Sequence, residues 1–317
     1  VLKCPLRRYH TYVGPSLLHC CPCYLMGEIS ILTWNVNGLL DRIKRGAVLS
    51  SVKRHGPSVA LLQETHLMGT KCPMLGRYGY DRVVQAGFTR GSRGVAILFR
   101  RSFPFTLLGS TSDPMGRFAV AWGLLEGKPY NFVSVYVPPQ MHTPTFQELS
   151  KTLINLPSGV TVLGGDWNAT LDREMDYSRG AGPRAPPVDA KFQTWVSSLG
   201  LCDVWRTWNP GSRLFTHTSA AHGSRSRIDS FLMPATDMGL TSGSRILPRG
   251  ISDHAPVMLK IGGVGGLTRP IWRLNAWYFK DQALVKYLKT EITNYFDSNT
   301  HSVDSPGILW AACKATI

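Results

Sequence analysis

The chain has 317 residues, 43% of them hydrophobic, with 35 Lys and Arg against 20 Asp and Glu, a formal net charge of +15. So apolar a composition excludes disorder along the whole chain, and no apolar run reaches the roughly 18 residues a spanning helix needs. The excess of positive charge favours polyanionic partners, nucleic acid first, and says nothing about fold.

Residues 1–27 carry +3 of the charge and four of the seven cysteines, Cys4, Cys20, Cys21 and Cys23. Cys72, Cys202 and Cys313 are too sparse for a disulfide framework, so the body of the chain reads as built for a reducing compartment. The Cys20-Cys-Pro-Cys23 cluster has no second cysteine pair to complete four zinc ligands. This stretch is expected to be a disordered leader, with Met26 as a natural start.

From residue 28 onward, short runs of β-branched, aliphatic and aromatic residues predict strands. They are Ile29–Trp34, Val59–Gln63, Gly94–Phe99, Phe118–Leu125, Tyr130–Val137, Val160–Gly164, Ile228–Met233 and Val257–Ile261. Three helical patterns interrupt them: Arg42–His55 stopped by Gly56-Pro57, Thr145–Leu156 initiated by Thr143-Pro144, and Pro187–Leu199 ended by Gly200. Strands mostly follow strands, which suits two packed sheets flanked by helices rather than an alternating barrel. Gly262-Gly-Val-Gly-Gly266 closes this block, which holds 26 basic against 16 acidic residues. Beyond it, Asp281–Phe296 has helical apolar spacing and Ile308–Ile317 is a second apolar run.

Polar residues gather where the predicted strands end. In chain order they are Trp34-Asn-Val-Asn-Gly38, Gln63-Glu-Thr65, Tyr136-Val-Pro-Pro139, Gly164-Gly-Asp-Trp-Asn168, Ser226-Arg-Ile-Asp-Ser230 and Ser252-Asp-His-Ala-Pro256. Each alone has an ordinary explanation, since Asn35 and Asn37 before Gly38 also form turns. Together they place Glu64, Asp166, Asp229 and Asp253 beside strands that should be buried, and buried carboxylates require a cation or a histidine. Oxygen donors without thiolates select Mg²⁺ or Mn²⁺, with Glu64 and Asn35 as ligands. Asp229 would orient His254, Asp166 would align or deprotonate a water, and Asn168 would hydrogen-bond a phosphate.

In this order the motifs resemble the endonuclease/exonuclease/phosphatase superfamily, and within it the exonuclease III-like apurinic endonucleases. The resemblance spans about residues 28–261 and is most specific at Gln63-Glu-Thr65, Gly165-Asp-Trp-Asn168 and Ser252-Asp-His254. It implies an α/β fold, a four-layer sandwich of two mixed sheets. It also implies Asn35, Glu64 and Asp253 at the metal, Tyr136 on the phosphate, Asp166 and Asn168 at the nucleophile, and Asp229 paired with His254. Asn37, and Phe215-Thr216 followed by Ser226-Arg-Ile-Asp229, are similar to the endonuclease domain of non-LTR retrotransposons. Trp272-Arg-Leu-Asn275, Glu291–Asp297 and Leu309–Ala315 look like the segment linking that domain to a reverse transcriptase. Pro139 departs from the family, replacing an Asn and removing a polar contact.

The resulting expectation is a Mg²⁺-dependent endonuclease, monomeric as this fragment, that nicks double-stranded DNA in the nucleus to leave a 3′-hydroxyl. Element RNA would be reached through regions beyond residue 317, and no membrane is involved. Two readings stay open beside it: a repair-type 3′ exonuclease or abasic-site endonuclease, and a degenerate domain that binds DNA without cutting. Asn37, Thr216, Arg225 and Arg227 are the expected substrate contacts, with Arg225 and Arg227 suited to a minor groove. Lys44, Arg45, Arg90, Arg93, Arg100, Arg101, Arg206, Arg213, Arg245 and Arg249 are expected to serve phosphates, and the loop Asp172–Pro187 to reach a groove.

Overall fold

The computed structural model describes residues 28–70, 75–76, 78–178, 187–219, 223–262, 282–300, 309–310 and 312–313. The leader, Arg179 and Arg184 of the long loop, and most of the linker and tail lie outside them.

The first sheet contains β1 (Ile29–Asn35), β2 (Val59–Gln63), β3 (Tyr80–Ala86), β4 (Val95–Arg100), β13 (Thr241–Ile246) and β14 (Val257–Ile261). Its strand order is β13-β14-β1-β2-β4-β3. The second contains β5 (Phe105–Ser112), β6 (Phe118–Leu125), β7 (Lys128–Tyr136), β8 (Val160–Asp166), β9 (Leu201–Asp203) and β12 (Asp229–Pro234). Its order is β5-β6-β7-β8-β12-β9. Both are mixed, with β1 parallel to β2 and β7 parallel to β8 among antiparallel neighbours. A separate two-stranded hairpin joins β10 (His217–Ser219) to β11 (Ser224–Ser226).

Alternation along the inner strands builds three apolar layers. Ile31 of β1 and Phe231 of β12 point between the sheets, where Phe99, Phe105 and Phe132 pack at ring distances of 4.9–5.8 Å. Leu32 and Trp34 point the other way, onto Val48, Leu49 and Val52 of α1 (Arg42–His55). Leu163 and Leu232 meet Phe146 and Leu149 of α2 (His142–Ile154) and Phe192 and Trp195 of α4 (Pro187–Ser198). The result is the expected four-layer sandwich. Each α1 end is closed locally: Asp41 accepts from Lys44 N at 2.6 Å, and left-handed Gly56 (φ 65°) donates to Val52 O. Helix α2 starts at His142, three residues before the predicted Thr145, because Pro144 fits within a first turn.

The short helices α3 (Arg173–Asp176) and α5 (Val204–Trp208) lie in loops of the second sheet's side, and α6 (Gln282–Asn299) fulfils the helical spacing of the tail with no buried residue. A cavity of about 860 Å³ between α2 and α4, lined by Phe146, Ser150, Lys151, Lys191 and Trp195, shares no residue with the strand ends that carry the polar motifs.

Candidate active site

The parallel pairs bring the C-terminal ends of β1, β2, β7 and β8 to one edge of the sandwich. β12 and β14 run antiparallel to their neighbours, so their N-terminal ends return to that same edge. Register makes this specific: Asp166 lies opposite Tyr136 on one side and Asp229 on the other, and Asn35 lies opposite Gln63. Gly164-Gly165 permits the close packing, since a Cβ on Gly165 would stand 2.1 Å from Val135 O and one on Gly164 would stand 2.7 Å from both Leu61 and Phe231. Just past these strands, Asn37, Glu64 and Asn168 adopt left-handed backbone (φ 47°, 50° and 46°). Non-glycine residues hold that conformation at a cost, and here all three turn polar side chains at the site.

Asn35 sits at the centre, fully buried. Its Nδ2 donates to Glu64 Oε1 at 2.9 Å and to Asp166 Oδ2 at 2.8 Å, while its Oδ1 accepts from Asn37 N. Asp166 Oδ1 accepts from Asn168 N at 3.0 Å, and Asn168 Nδ2 is anchored on Val137 O. His254 Nδ1 and Asp229 Oδ2 are 2.8 Å apart, which leaves His254 Nε2 facing Asp166 Oδ2 at 4.0 Å. Asp253 Oδ1 accepts from Asn37 Nδ2 at 3.1 Å on the exposed side.

Charge is strongly perturbed in so dry a place. Burial and then the Asp229 carboxylate lift Asp166 far above the usual carboxylate range. Burial pulls His254 down, but the charge and hydrogen bond of Asp229, followed by Asp166 and Asp253, outweigh it and raise the imidazole to about 10. Burial, then the negative charge of Glu64 and Asp166, pushes the Tyr136 phenol upward, so it remains a neutral donor. The cleft thus holds an imidazolium, a basic carboxylate and a phenol.

A model of the Endonuclease/Exonuclease/phosphatase family matches residues 32–254, which takes in every cleft residue from Asn35 to His254. The chain belongs to that family. Over 268 residues, 82% of its length, it is 30% identical to the Xenopus laevis "Transposon TX1 uncharacterized 149 kDa protein". It is also 30% identical over 150 residues, 46% of its length, to the Drosophila melanogaster "Probable RNA-directed DNA polymerase from transposon X-element". It spans only 20% and 16% of these two relatives. An AP endonuclease from Leishmania major shares the fold with a TM-score of 0.64 at 18% identity, over 75% of this chain and 88% of that one.

Most of the family-type residues expected from sequence meet in the cleft: Asn35, Glu64, Tyr136, Asp166, Asn168, Asp229, Asp253 and His254, with Asn37 exposed beside them. Thr216 does not reach a substrate surface. It is 1% exposed, and its Oγ1 accepts from both Ile228 N and Asp229 N at 3.1 Å, so it fixes the backbone that carries Asp229. Arg227 is also buried, at 3% exposure, and cannot enter a groove. Its guanidinium grips Asp176 at 2.7 and 2.8 Å and Asp203 at 2.7 Å. Arg206, expected on phosphate, pairs with the same Asp176. Arg225, two residues earlier and within β11, remains exposed, because the strand ends at Ser226 before Arg227 turns inward. Pro139 is exposed just after Tyr136 and before α2.

Two contributors emerge only from the structure. Ser252 donates to Asn35 O at 2.8 Å and accepts from His254 N, stapling the end of β1 to the Asp253-His254 turn. His66 Nε2 lies 3.3 Å from Glu64 Oε2. The spacing Glu64-x-His66 past a strand end was the available signal for the second, and serine before Asp-His the signal for the first.

The donor set fits a hard divalent cation. Glu64, Asn35 and Asp253 offer oxygens without a thiolate, and Asp229 Oδ1 is buried with no hydrogen-bond partner among the described residues. One ligand atom each from Asp166, Asp229 and His254 also lie within 4.8 Å of one another.

Proposed function

We propose that this chain is the Mg²⁺-dependent DNA endonuclease module of a non-LTR retrotransposon protein, cutting one strand of duplex DNA to leave a 3′-hydroxyl. The observation that carries the reading is the single cleft in which Asn35 links Glu64 to Asp166 while His254 bridges Asp229 and Asp166. Family membership and the names of the two transposon relatives support it.

In this reading Glu64, Asn35 and Asp253 hold Mg²⁺, which when bound neutralises charge on the phosphate and the departing oxygen. Asp166, held by Asn35 and Asn168, takes a proton from the attacking water. Its raised pKa makes it a better base than an exposed carboxylate. Water adds to phosphorus, the bond to the 3′ oxygen breaks, and that oxygen leaves as a hydroxyl by taking a proton from solvent water. The His254 imidazolium donates through Nε2 to a non-bridging oxygen, and Tyr136 donates from its neutral phenol. Exposed Arg90, Arg213, Arg225, Arg245 and Arg249 position the duplex. In the parent element the 3′-hydroxyl would prime reverse transcription of element RNA, on nuclear DNA.

Supercoiled plasmid and an oligonucleotide duplex with one abasic analogue separate this from a repair enzyme. The expected result is Mg²⁺-dependent nicking of intact plasmid, with no requirement for the lesion. Cutting confined to the abasic site would assign the protein to repair instead.

A further inference from the structure

His217 opens the β10–β11 hairpin and forms an isolated antiparallel bridge with His254, which sets the two imidazoles side by side at a centroid distance of 4.5 Å and a tilt of 37°. Its Nε2 lies 3.8 Å from Asp253 Oδ2. One ligand atom from each of His217, Asp253 and His254 falls within 4.8 Å of the others. We propose that these three residues form a zinc site at the lip of the cleft, and that zinc bound there blocks the cleft.

The chemistry differs from that of the Mg²⁺ ligands. Two imidazoles and one carboxylate, with a fourth position open to water, are donors that zinc takes and that Mg²⁺ does not prefer. Zinc–ligand bonds of about 2.0–2.2 Å need ligand atoms to close by roughly 1 Å each from where they stand. The outer contacts of such a site are already in place. Asp229 holds His254 Nδ1 at 2.8 Å, so Nε2 is the nitrogen left for the metal. Asn37 and Ser252 hold Asp253 Oδ1 at 3.1 and 3.2 Å, which leaves Oδ2 toward His217. Side-chain exposures of 23% for His217 and 44% for Asp253 give the ion a way in from solvent. On binding, the Nε2 proton of His254 passes to water and the cation takes its place, so Asp166 and Asp229 keep a positive neighbour. His254 is then unable to donate to phosphate, and Asp253 is shared with the Mg²⁺ ligands.

Zinc binding does not depend on the nuclease reading, whereas inhibition rests on it; two measurements keep these apart. Isothermal titration of the whole chain with Zn²⁺ should give a site that His217→Phe weakens at least about 10-fold and His217→Asp partly restores. The phenylalanine keeps the ring packed on His254 and removes only the nitrogen. Any zinc taken by Cys20, Cys21 and Cys23 is common to all three proteins. In plasmid nicking at fixed Mg²⁺, Zn²⁺ should inhibit the unsubstituted protein, while His217→Phe should nick equally well without zinc and resist at least about 10-fold more of it. Superimposable zinc isotherms for the unsubstituted protein and His217→Phe would overturn the site. Altered isotherms with equal zinc sensitivity of nicking would overturn the blockade. Altered isotherms in a chain that never nicks would uphold the site, overturn the blockade and refute the nuclease reading.

Discussion

At the scale of single residues, the Asp229–His254 pair sets the charge of the cleft. Asp229 is 1% exposed and His254 6%, so neither is relieved by water. The folded imidazole is raised above its unfolded value, so its stabilising contribution is complete below pH 6.5 and fades as pH climbs through about 10. Asp229→Asn removes the counter-charge. In metal-free protein, the His254 ring followed by NMR should then titrate well below its present value, and stability should lose its decline across that alkaline window. Nicking should drop about 10²-fold or more, the usual range for loss of a positioned proton donor. An unchanged His254 titration in Asp229→Asn would remove the electrostatic basis assigned to the pair.

At the scale of elements, the segment Ser224–Asp229 divides its work where β11 ends at Ser226, since an unbroken strand would put Arg225 and Arg227 on one face. Arg225 faces solvent, whereas Arg227 is clamped between Asp176 of α3 and Asp203 ahead of α5, tying two loops to the strand that carries Asp229. Removing one partner of a buried ionic group commonly costs about 3–5 kcal/mol because the remaining charges lose their counter-ion. Thermal melts should therefore show Arg227→Met strongly destabilised and Arg225→Ala near the unsubstituted protein, with Arg225→Ala instead weakening DNA binding; the opposite ranking would refute this division. Sequence alone placed both arginines on DNA, since residue type and loop context do not report a buried acid brought from 51 positions away. The same limit explains the strands. The eight predicted from apolar runs are the inner ones, β1, β2, β4, β6, β7, β8, β12 and β14, buried on both faces. Those left unpredicted, β3, β5, β9 and β13, are the four sheet edges, together with the hairpin β10–β11. Edges face water, so Phe105–Ser112 reads as polar and its middle is exposed. The motifs that meet in the cleft were legible because they adjoin inner strands, and Thr216 was misplaced because its side chain is buried on the backbone amides of Ile228 and Asp229.

At the scale of the molecule, charge separates into a basic exterior and a small acidic centre. The 28–261 block has 26 basic and 16 acidic residues, and Glu64, Asp166, Asp229 and Asp253 belong to the cleft. Duplex binding measured with Ca²⁺ in place of Mg²⁺ should weaken linearly on a log–log plot against salt, with a slope of about −0.9 per phosphate contacted. Arg225→Ala should reduce that slope by about one. Affinity independent of salt would contradict a surface that tracks the phosphate backbone.

If the six strand-end motifs form one hydrolytic centre, single-turnover plasmid nicking depends on all of them. With Mg²⁺, the unsubstituted protein should convert supercoiled to open-circular DNA whose nick a polymerase extends without prior phosphatase treatment. Glu64→Ala, Asp166→Asn and His254→Ala should each lose about 10²-fold or more while melting as cooperatively as the unsubstituted protein. Undiminished nicking by any of the three well-folded variants, or nicks whose 3′ ends resist extension, would rule out a single hydrolytic centre at this cleft.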